Sequence, residues 1–185
     1  MTLREVEVSF FNDYFKKLAD VLFTGDEEAL SGIADLLTGC HASGNKVMIA
    51  GNGGSAAVAS HTATDLSNTA GIRAMSFNEA SLITCLSNDY GYENWVAKAL
   101  EFYAVQGDVV ILISSSGESQ NMINAANKAL EMDVKIVTFS GFKPGNRLRQ
   151  KGRFNCWADS CSYNLIETTH NVWLAAVIDR IAAMK

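Results

Sequence analysis

The sequence has almost no proline: Pro144 is the only one among 185 residues, and no linker rich in proline, glycine or serine is present. Linkers between domains are typically rich in these residues. A length of 185 residues also corresponds to about one domain. We therefore expect residues 1–185 to form a single domain, and the apolar content of 48% is typical of a packed globular chain.

Cysteine is also scarce, and the four that are present form neither a CxxC zinc motif nor a disulfide framework: Cys40, Cys85, Cys156 and Cys161. Thiols in such an arrangement are expected to be reduced, which predicts a cytoplasmic protein. The charged amino-terminal stretch lacks the apolar segment of a signal peptide, and no run of 18 apolar residues is present. We therefore expect no membrane segment.

Basic side chains are outnumbered by acidic ones, with 15 Lys and Arg against 20 Asp and Glu and a net charge of -5. Proteins that bind nucleic acid use an excess of basic side chains to displace counterions from the phosphates. This charge balance argues against direct nucleic-acid binding.

Apolar residues recur in two different patterns along the chain. Phe10, Tyr14, Leu18 and Leu22 are four residues apart, which is the spacing of an amphipathic helix. Largely apolar runs are instead typical of strands buried on both faces, and they occur at 46–50, 108–113 and 134–139. The predicted helices cover 3–23, 26–40, 55–66, 80–86, 92–104, 119–132 and 163–184, and weaker strands cover 73–77 and 153–157.

The alternation of strands and helices predicts an α/β fold, with a doubly wound parallel sheet sandwiched by helices and a pair of N-terminal helices within residues 1–40. The first helix carries four bulky aromatic side chains close together: Phe10, Phe11, Tyr14 and Phe15. One helix face rarely buries so much aromatic surface within a monomer. We therefore expect residues 1–40 to pack against other subunits of a homo-oligomer; the alternative is that all four rings pack on the sheet.

Two strand-to-helix loops have the composition of a phosphate site. Strand 46–50 leads into Gly51-Asn52-Gly53-Gly54-Ser55, whose small residues leave backbone N–H groups free to face an anion. Strand 108–113 leads into Ser114-Ser115-Ser116-Gly117-Glu118-Ser119, which adds four hydroxyl groups at a second helix start. Because parallel strands end at the same edge of a sheet, we expect the two loops to form one site for a small phosphorylated ligand.

Each loop also has a purely structural interpretation. The first is equally compatible with a tight strand-to-helix turn, and the second with a cluster in which one serine caps the helix. Neither loop has the lysine and spacing of a P-loop or the GxGxxG of a dinucleotide site, so we expect no nucleotide cofactor.

Three motifs together resemble a known family. GNGGS at 51–55, SNDYGYE at 87–93 and ISSSGESQN at 113–121 resemble the sugar isomerase (SIS) domain, and more closely its phosphoheptose isomerase subfamily. The resemblance implies an SIS fold over the whole chain and a homotetramer with active sites at subunit contacts. It also implies a heptose phosphate as ligand, with binding residues that carry over to Asn52, Gly53, Gly54, Ser55, Asp89, Ser114, Ser115, Ser116 and Ser119.

The catalytic positions of the family carry over only in part. Its His and Glu, four apart on the helix after GNGGS, correspond to His61 and Asp65. Its Gln and His, eight apart on the last helix, correspond to Glu167 and Ala175, and His170 matches another histidine one turn after the Gln. The resemblance implies Asp65 as catalytic base with Glu167 and His170 as partners. It also implies His61, Asp65 and Glu167 as the ligands if a Zn²⁺ ion is bound.

Two functions remain open after this comparison of motifs. The first is an aldose–ketose isomerase of the sedoheptulose 7-phosphate isomerase type. The second is a non-catalytic SIS module that binds a phosphosugar or a protein partner, like the replication-initiator-associating relatives of the isomerases. Ala175 favours the second, because a methyl group can neither transfer a proton nor bind a metal.

Overall fold

The structure is a computed structural model that describes residues 3–184, with side chains from Ser9 onward; residues 1, 2 and 185 of the predicted domain lie outside the described residues. The helices are α1 (Leu3–Leu22), α2 (Glu27–Ala42), α3 (Gly54–Asn68), α4 (Ala80–Tyr90), α5 (Trp95–Tyr103), α6 (Gln120–Glu131) and α7 (Tyr163–Ala183). The strands are β1 (Val47–Gly51), β2 (Ala74–Ser76), β3 (Val109–Ser114), β4 (Lys135–Ser140) and β5 (Phe154–Trp157). Each element predicted from the sequence is present.

The five strands form one parallel sheet in the order β2-β1-β3-β4-β5. Gly51 of β1 pairs with Ile113 of β3, so these two strands end side by side. From β1 the chain builds β2 on one side and β3 on the other, and this reversal is the switch point of a doubly wound sheet. The predicted fold class is confirmed.

Both faces of the sheet are covered by helices, which explains why the strands are largely apolar. Ile49 and Ile111 enter a buried layer under α2, α3 and α7. Their neighbours Met48 and Val110 enter the opposite layer under α4, α5 and α6. Alternate residues of each strand thus face different helices.

A buried carboxylate joins the amino ends of β1 and β3. Asp108 is fully buried and pairs with Lys46 Nζ at 2.5 Å, while its oxygens accept hydrogen bonds from the Lys46 and Val105 N–H groups and from Asn45. Burial alone would raise the pKa of Asp108, but the hydrogen bonds from Lys46, Val105 and Asn45 outweigh it and hold the pKa below its ordinary value. This network anchors the sheet at the edge opposite the two loops.

The two N-terminal helices differ in how much they bury. Helix α2 buries four residues against the rest of the domain, whereas α1 contacts α7 and buries Val21 in its last turn. Phe10, Phe11 and Phe15 stay 62%, 56% and 60% exposed. The alternative that these rings pack on the sheet is therefore wrong for these three residues, and contact with other subunits stays a prediction.

Helix α4 is longer than the sequence suggested, because the polar residues Ser87, Asn88 and Asp89 continue it instead of forming a loop. The Glu79 carboxylate accepts the Leu82 N–H at 3.0 Å and caps its start. Asp89 therefore lies in the last turn of a helix.

Among residues 3–184, no helix combines the length and the apolar character needed to cross a bilayer.

Candidate functional site

A small cavity lies at the carboxyl edge of the sheet, between the loops that follow β1 and β3. Its volume is about 110 Å³. The lining residues come from both loops and from α7: Asn52, Ser55, Ile113, Ser114, Ser115, Ser116, Ser119, Tyr163 and Glu167. The two loops, 60 residues apart in sequence, thus line one cavity at the switch point between β1 and β3.

Three helices begin at this cavity. Ser55 lies in the first turn of α3, Ser119 is the N-cap residue of α6, and Tyr163 is the first residue of α7. Helix N-termini carry a partial positive charge and N–H groups without partners in the helix. The residues that line the cavity include no Lys or Arg, so these helix N-termini are the groups of the lining that can attract an anion.

In the serine loop, residues 114–119, the hydroxyl groups of Ser114 and Ser116 form hydrogen bonds within the loop rather than with the body of α6. The Ser114 hydroxyl donates to Ser119 Oγ at 3.0 Å, and Ser116 Oγ accepts the Glu118 N–H at 3.2 Å. Ser119 makes no capping hydrogen bond to α6 through its side chain. The interpretation of this serine as a side-chain helix cap is therefore wrong, and its hydroxyl stays at the cavity wall.

The first loop is tight because β1 and α3 approach each other closely at Gly51. A methyl group at Gly51 would lie 2.7 Å from the Ser55 carbonyl carbon and oxygen, well inside normal contact distance. Glycine at this position lets α3 start directly at the end of the strand.

Asn52, in the first loop, is held by two residues that sequence reasoning did not select. Its amide forms a reciprocal pair with the Asn121 amide, with donor–acceptor distances of 3.0 and 2.8 Å. The Tyr92 hydroxyl donates to Asn52 Oδ1 at 3.0 Å. Tyr92 and Asn121 lie in the motifs 87–93 and 113–121, which is the signal that could have identified them. Tyr163 carried no such signal.

Glu167 introduces a negative charge into the cavity. Its Oε1 lies 3.5 Å from Ser115 Oγ, and a methyl group on Gly54 would overlap the carboxylate. A carboxylate at this position repels a phosphate that comes too close and accepts hydrogen bonds from hydroxyl groups. The cavity therefore favours a ligand with a phosphate at the helix starts and hydroxyl groups beside Glu167.

Comparison with known proteins identifies the family. Residues 10–141 match the SIS domain family. The chain belongs to the SIS domain family. Within it, the phosphoheptose isomerase of Akkermansia muciniphila is 34% identical over 164 residues, which are 85% of this chain and 84% of that protein. The phosphoheptose isomerase of Proteus mirabilis is 38% identical over 126 residues, 65% of each chain.

A solved structure supports the same assignment. The phosphoheptose isomerase of Neisseria gonorrhoeae superposes with a TM-score of 0.86 at 27% identity, over 97% of this chain and 99% of that chain. The resemblance to the SIS domain and its phosphoheptose isomerase subfamily is confirmed.

His61 and Asp65 lie together on α3 of this SIS domain, but away from the cavity. His61 Nε2 and Asp65 Oδ2 are 3.0 Å apart, and the two side chains are 57% and 35% exposed. Asp65 follows Ser55 by ten residues, which places it about 15 Å further along the helix axis. The pair is thus formed as its four-residue spacing predicts, but at a distance from Glu167.

Asp89 is also outside the cavity. From the last turn of α4, its carboxylate accepts hydrogen bonds from Asn88 Nδ2 at 2.9 Å and from Cys85 Sγ at 3.7 Å. The binding role that the resemblance implies for Asp89 has no counterpart in the lining of this cavity.

His170 lies in the core of the SIS domain rather than at the site. Its ring is fully buried, Nε2 is 3.0 Å from the Ser140 carbonyl oxygen, and Phe139 and Trp173 contact it edge-on and at a tilt. Burial lowers the pKa of His170 to about 4, despite the opposing effect of the hydrogen bond to Ser140. The catalytic role predicted for His170 is not supported by this placement, because the neutral ring is packed below the sheet edge.

The three candidate zinc ligands are not brought together within one chain. Zn²⁺ requires three or four ligands within about 2.0–2.3 Å of the ion. Among the side chains described, from Ser9 to Met184, no group of three His, Cys, Asp or Glu residues is close enough to hold a metal. His61, Asp65 and Glu167 of a single chain therefore do not fit a Zn²⁺ ion, and no step proposed below passes through a metal.

Proposed function

We propose that this SIS domain binds a sugar phosphate, with the phosphate group in the cavity at the carboxyl edge of the sheet. The observation that carries the proposal is the convergence of three helix N-termini on a cavity lined by serine hydroxyls. A phosphate accepts hydrogen bonds from N–H and O–H groups and is stabilised by the positive ends of helices.

The size of the cavity matches a phosphate group better than a whole sugar phosphate. A volume of about 110 Å³ has room for several water molecules, each of which needs on the order of 10–15 Å³ of such space. A phosphate with its attached carbon fills such a space. The remaining carbons of a heptose would lie outside it, beside Glu167 and Tyr163.

The reaction that we propose is aldose–ketose isomerisation of a heptose phosphate such as sedoheptulose 7-phosphate. The relatives named phosphoheptose isomerase support this reaction class. A base removes a proton from C1 of the ketose, an enediol forms, and a proton is returned to C2, while the hydroxyl proton of O1 is lost and O2 gains one. Asp65 is the proposed base, and Glu167 holds the hydroxyl groups and relays their proton.

Asp65 acts in this proposal on a substrate held by another subunit. Its position about 15 Å along α3 from Ser55, outside the lining of the cavity, supports this assignment. The exposed His61–Asp65 pair is free to face the cavity of a neighbouring chain in a cytoplasmic homotetramer. If a Zn²⁺ ion is bound, it would draw its ligands from two chains in the same way.

The homotetramer leads to a prediction about α1. We expect light scattering at micromolar concentration to give four times the chain mass of 20.0 kDa. Replacing Phe10 and Phe15 by serine should yield smaller species, because these rings are 62% and 60% exposed and form apolar surface for a second copy. The control is Leu130→Ser on α6, a residue 59% exposed, which should leave the mass unchanged. A wild-type mass of one chain would contradict the assembly.

The isomerase proposal is tested by turnover. We expect the protein to convert sedoheptulose 7-phosphate to the aldose heptose 7-phosphate, followed by NMR with and without added Zn²⁺, at a kcat of about 1–10³ s⁻¹. The control is sedoheptulose without phosphate, which lacks the group that the helix starts bind and should react far more slowly.

A non-catalytic SIS module is the second candidate, and Ala175 favours it. This residue lies on α7 eight positions after Glu167, where the isomerases are expected to have histidine. Tight binding of sedoheptulose 7-phosphate without any aldose product would select this function over the isomerase.

A further inference from the structure

We infer that Asn121 is a positioning residue that determines which group of the Asn52 amide meets the phosphate. The inference rests on the proposed function, since it concerns the cavity in which the phosphate is held. Asn121 does not line that cavity, and its side chain is only 2% exposed at the start of α6. It acts through Asn52, which does line it.

The orientation of the Asn121 amide is determined by the backbone of α6. The Met122 N–H donates to Asn121 Oδ1 at 3.1 Å. This N–H also donates to the Ser119 carbonyl oxygen at 3.0 Å. Because a backbone N–H cannot accept a hydrogen bond, the oxygen of the Asn121 amide faces it and not the NH₂ group. The NH₂ group of Asn121 must then point the other way, to Asn52 Oδ1 at 2.8 Å.

This arrangement leaves Asn52 with a single orientation. Its Oδ1 accepts from both Asn121 and Tyr92, and its Nδ2 donates one hydrogen to Asn121 Oδ1 at 3.0 Å. An amide nitrogen carries two hydrogens. The second one is left for a ligand in the cavity, so Asn52 offers a phosphate a donor and not an oxygen.

The pair also joins the two loops mechanically. Asn52 follows β1 and Asn121 lies in α6, 69 residues later in the chain. The two amides therefore belong to segments that follow different strands, β1 and β3. Their hydrogen bonds hold the starts of α3 and α6 at one separation. An isosteric change at Asn121 alters the hydrogen-bonding pattern and the charge but not the shape, so a melting measurement separates loss of the orientation from loss of the fold.

Asn121→Asp tests the inference. The aspartate has two acceptor oxygens and no N–H group, so one of its oxygens would face Asn52 Oδ1, and the reciprocal pair that fixes the orientation of the Asn52 amide would be lost. We expect inorganic phosphate, titrated by calorimetry, to bind roughly 10- to 100-fold more weakly, the loss that corresponds to a hydrogen bond with a charged group. Asn121→Leu is a second variant of similar shape, and its folding is not affected by a buried charge as that of Asn121→Asp is. We expect it to weaken phosphate binding as well. Thermal melting establishes that each variant is folded.

The decisive measurement repeats both substitutions in an Asn52→Ala background. If Asn121 acts only by orienting Asn52, the uncharged Asn121→Leu substitution will cause no further loss of phosphate binding once the Asn52 amide is gone, whereas Asn121→Asp will retain the loss that its negative charge causes. An equal loss from Asn121→Leu in both backgrounds would show that Asn121 is merely structural, and no loss in either would show that it has no role; both outcomes overturn the inference. Wild-type protein that binds no phosphate would instead overturn the proposed function.

Discussion

Replacing Gly117 by alanine is expected to abolish phosphate binding and to lower the free energy of unfolding by about 2–5 kcal/mol, the combined cost of backbone strain and overpacking. Gly117 has φ of 68°, in the left-handed region that side chains disfavour. A methyl group there would also overlap the side-chain amide of Asn146. Both effects act at the centre of the serine loop, between Ser116 and Glu118.

Asn146 cannot move aside cheaply to make room for that methyl group. It is 1% exposed, and its Nδ2 donates to Ser140 Oγ, to the Gly141 oxygen and to the Lys143 oxygen at 2.9–3.2 Å. Its Oδ1 accepts the Arg149 N–H at 2.9 Å. Relief of the overlap must therefore come from the serine loop itself, which would displace the hydroxyl groups from the cavity.

Calorimetric titration with inorganic phosphate and chemical denaturation together measure the two effects. The matched control is Gly145→Ala, since Gly145 lies in the neighbouring exposed loop and a methyl group there meets nothing within 4 Å. Wild-type phosphate affinity in a Gly117→Ala protein would show that the serine loop is not the binding site.

The sequence predicted those parts of the fold that depend on the order of apolar, glycine and serine residues within one strand and the loop after it. Strands β1 and β3 are apolar because both faces of each are covered, and glycine and serine follow them where the chain turns into a helix. Length and spacing were sufficient to place these elements to within a few residues. The switch point followed from the same pattern, because strands separated by helices in a single domain form a parallel sheet.

The contacts that complete the site depend on residues far apart in the chain. Asn146 and Asn121 are ordinary polar residues in the sequence, and only the packing of loops around them makes them buried hydrogen-bonding centres. His170 shows the opposite case. It follows Glu167 by three residues, or about 4.5 Å along α7, and this single turn carries it from the sheet edge into contact with Phe139 of β4.

Asp65→Asn is expected to lower kcat by about 10²- to 10⁴-fold, the usual effect of losing a general base, while phosphate affinity changes little. The amide has nearly the shape of the carboxylate but cannot accept a proton, and Asp65 is far from the groups that hold the phosphate. Turnover of sedoheptulose 7-phosphate and calorimetry with phosphate separate the two quantities. The control is Asp179→Asn on the exposed side of α7, which should leave both unchanged.

The same variant tests whether the site is shared between chains. It is mixed with a second variant, in which Ser116 and Ser119 are replaced by alanine. The second variant retains Asp65 but loses hydroxyl groups that line the cavity. Each homo-oligomer alone should be impaired, the first in proton transfer and the second in substrate binding. After the two proteins are unfolded together and refolded, some sites of a mixed tetramer would combine an intact Asp65 with an intact serine loop.

Activity of the mixture above that of either parent is therefore the expected result if Asp65 serves the cavity of a neighbouring subunit. If both parts belong to one chain, every site in the mixture carries a defect and mixing restores nothing. That result would place the base within the chain that binds the phosphate. Full activity of Asp65→Asn by itself would assign the base to another residue.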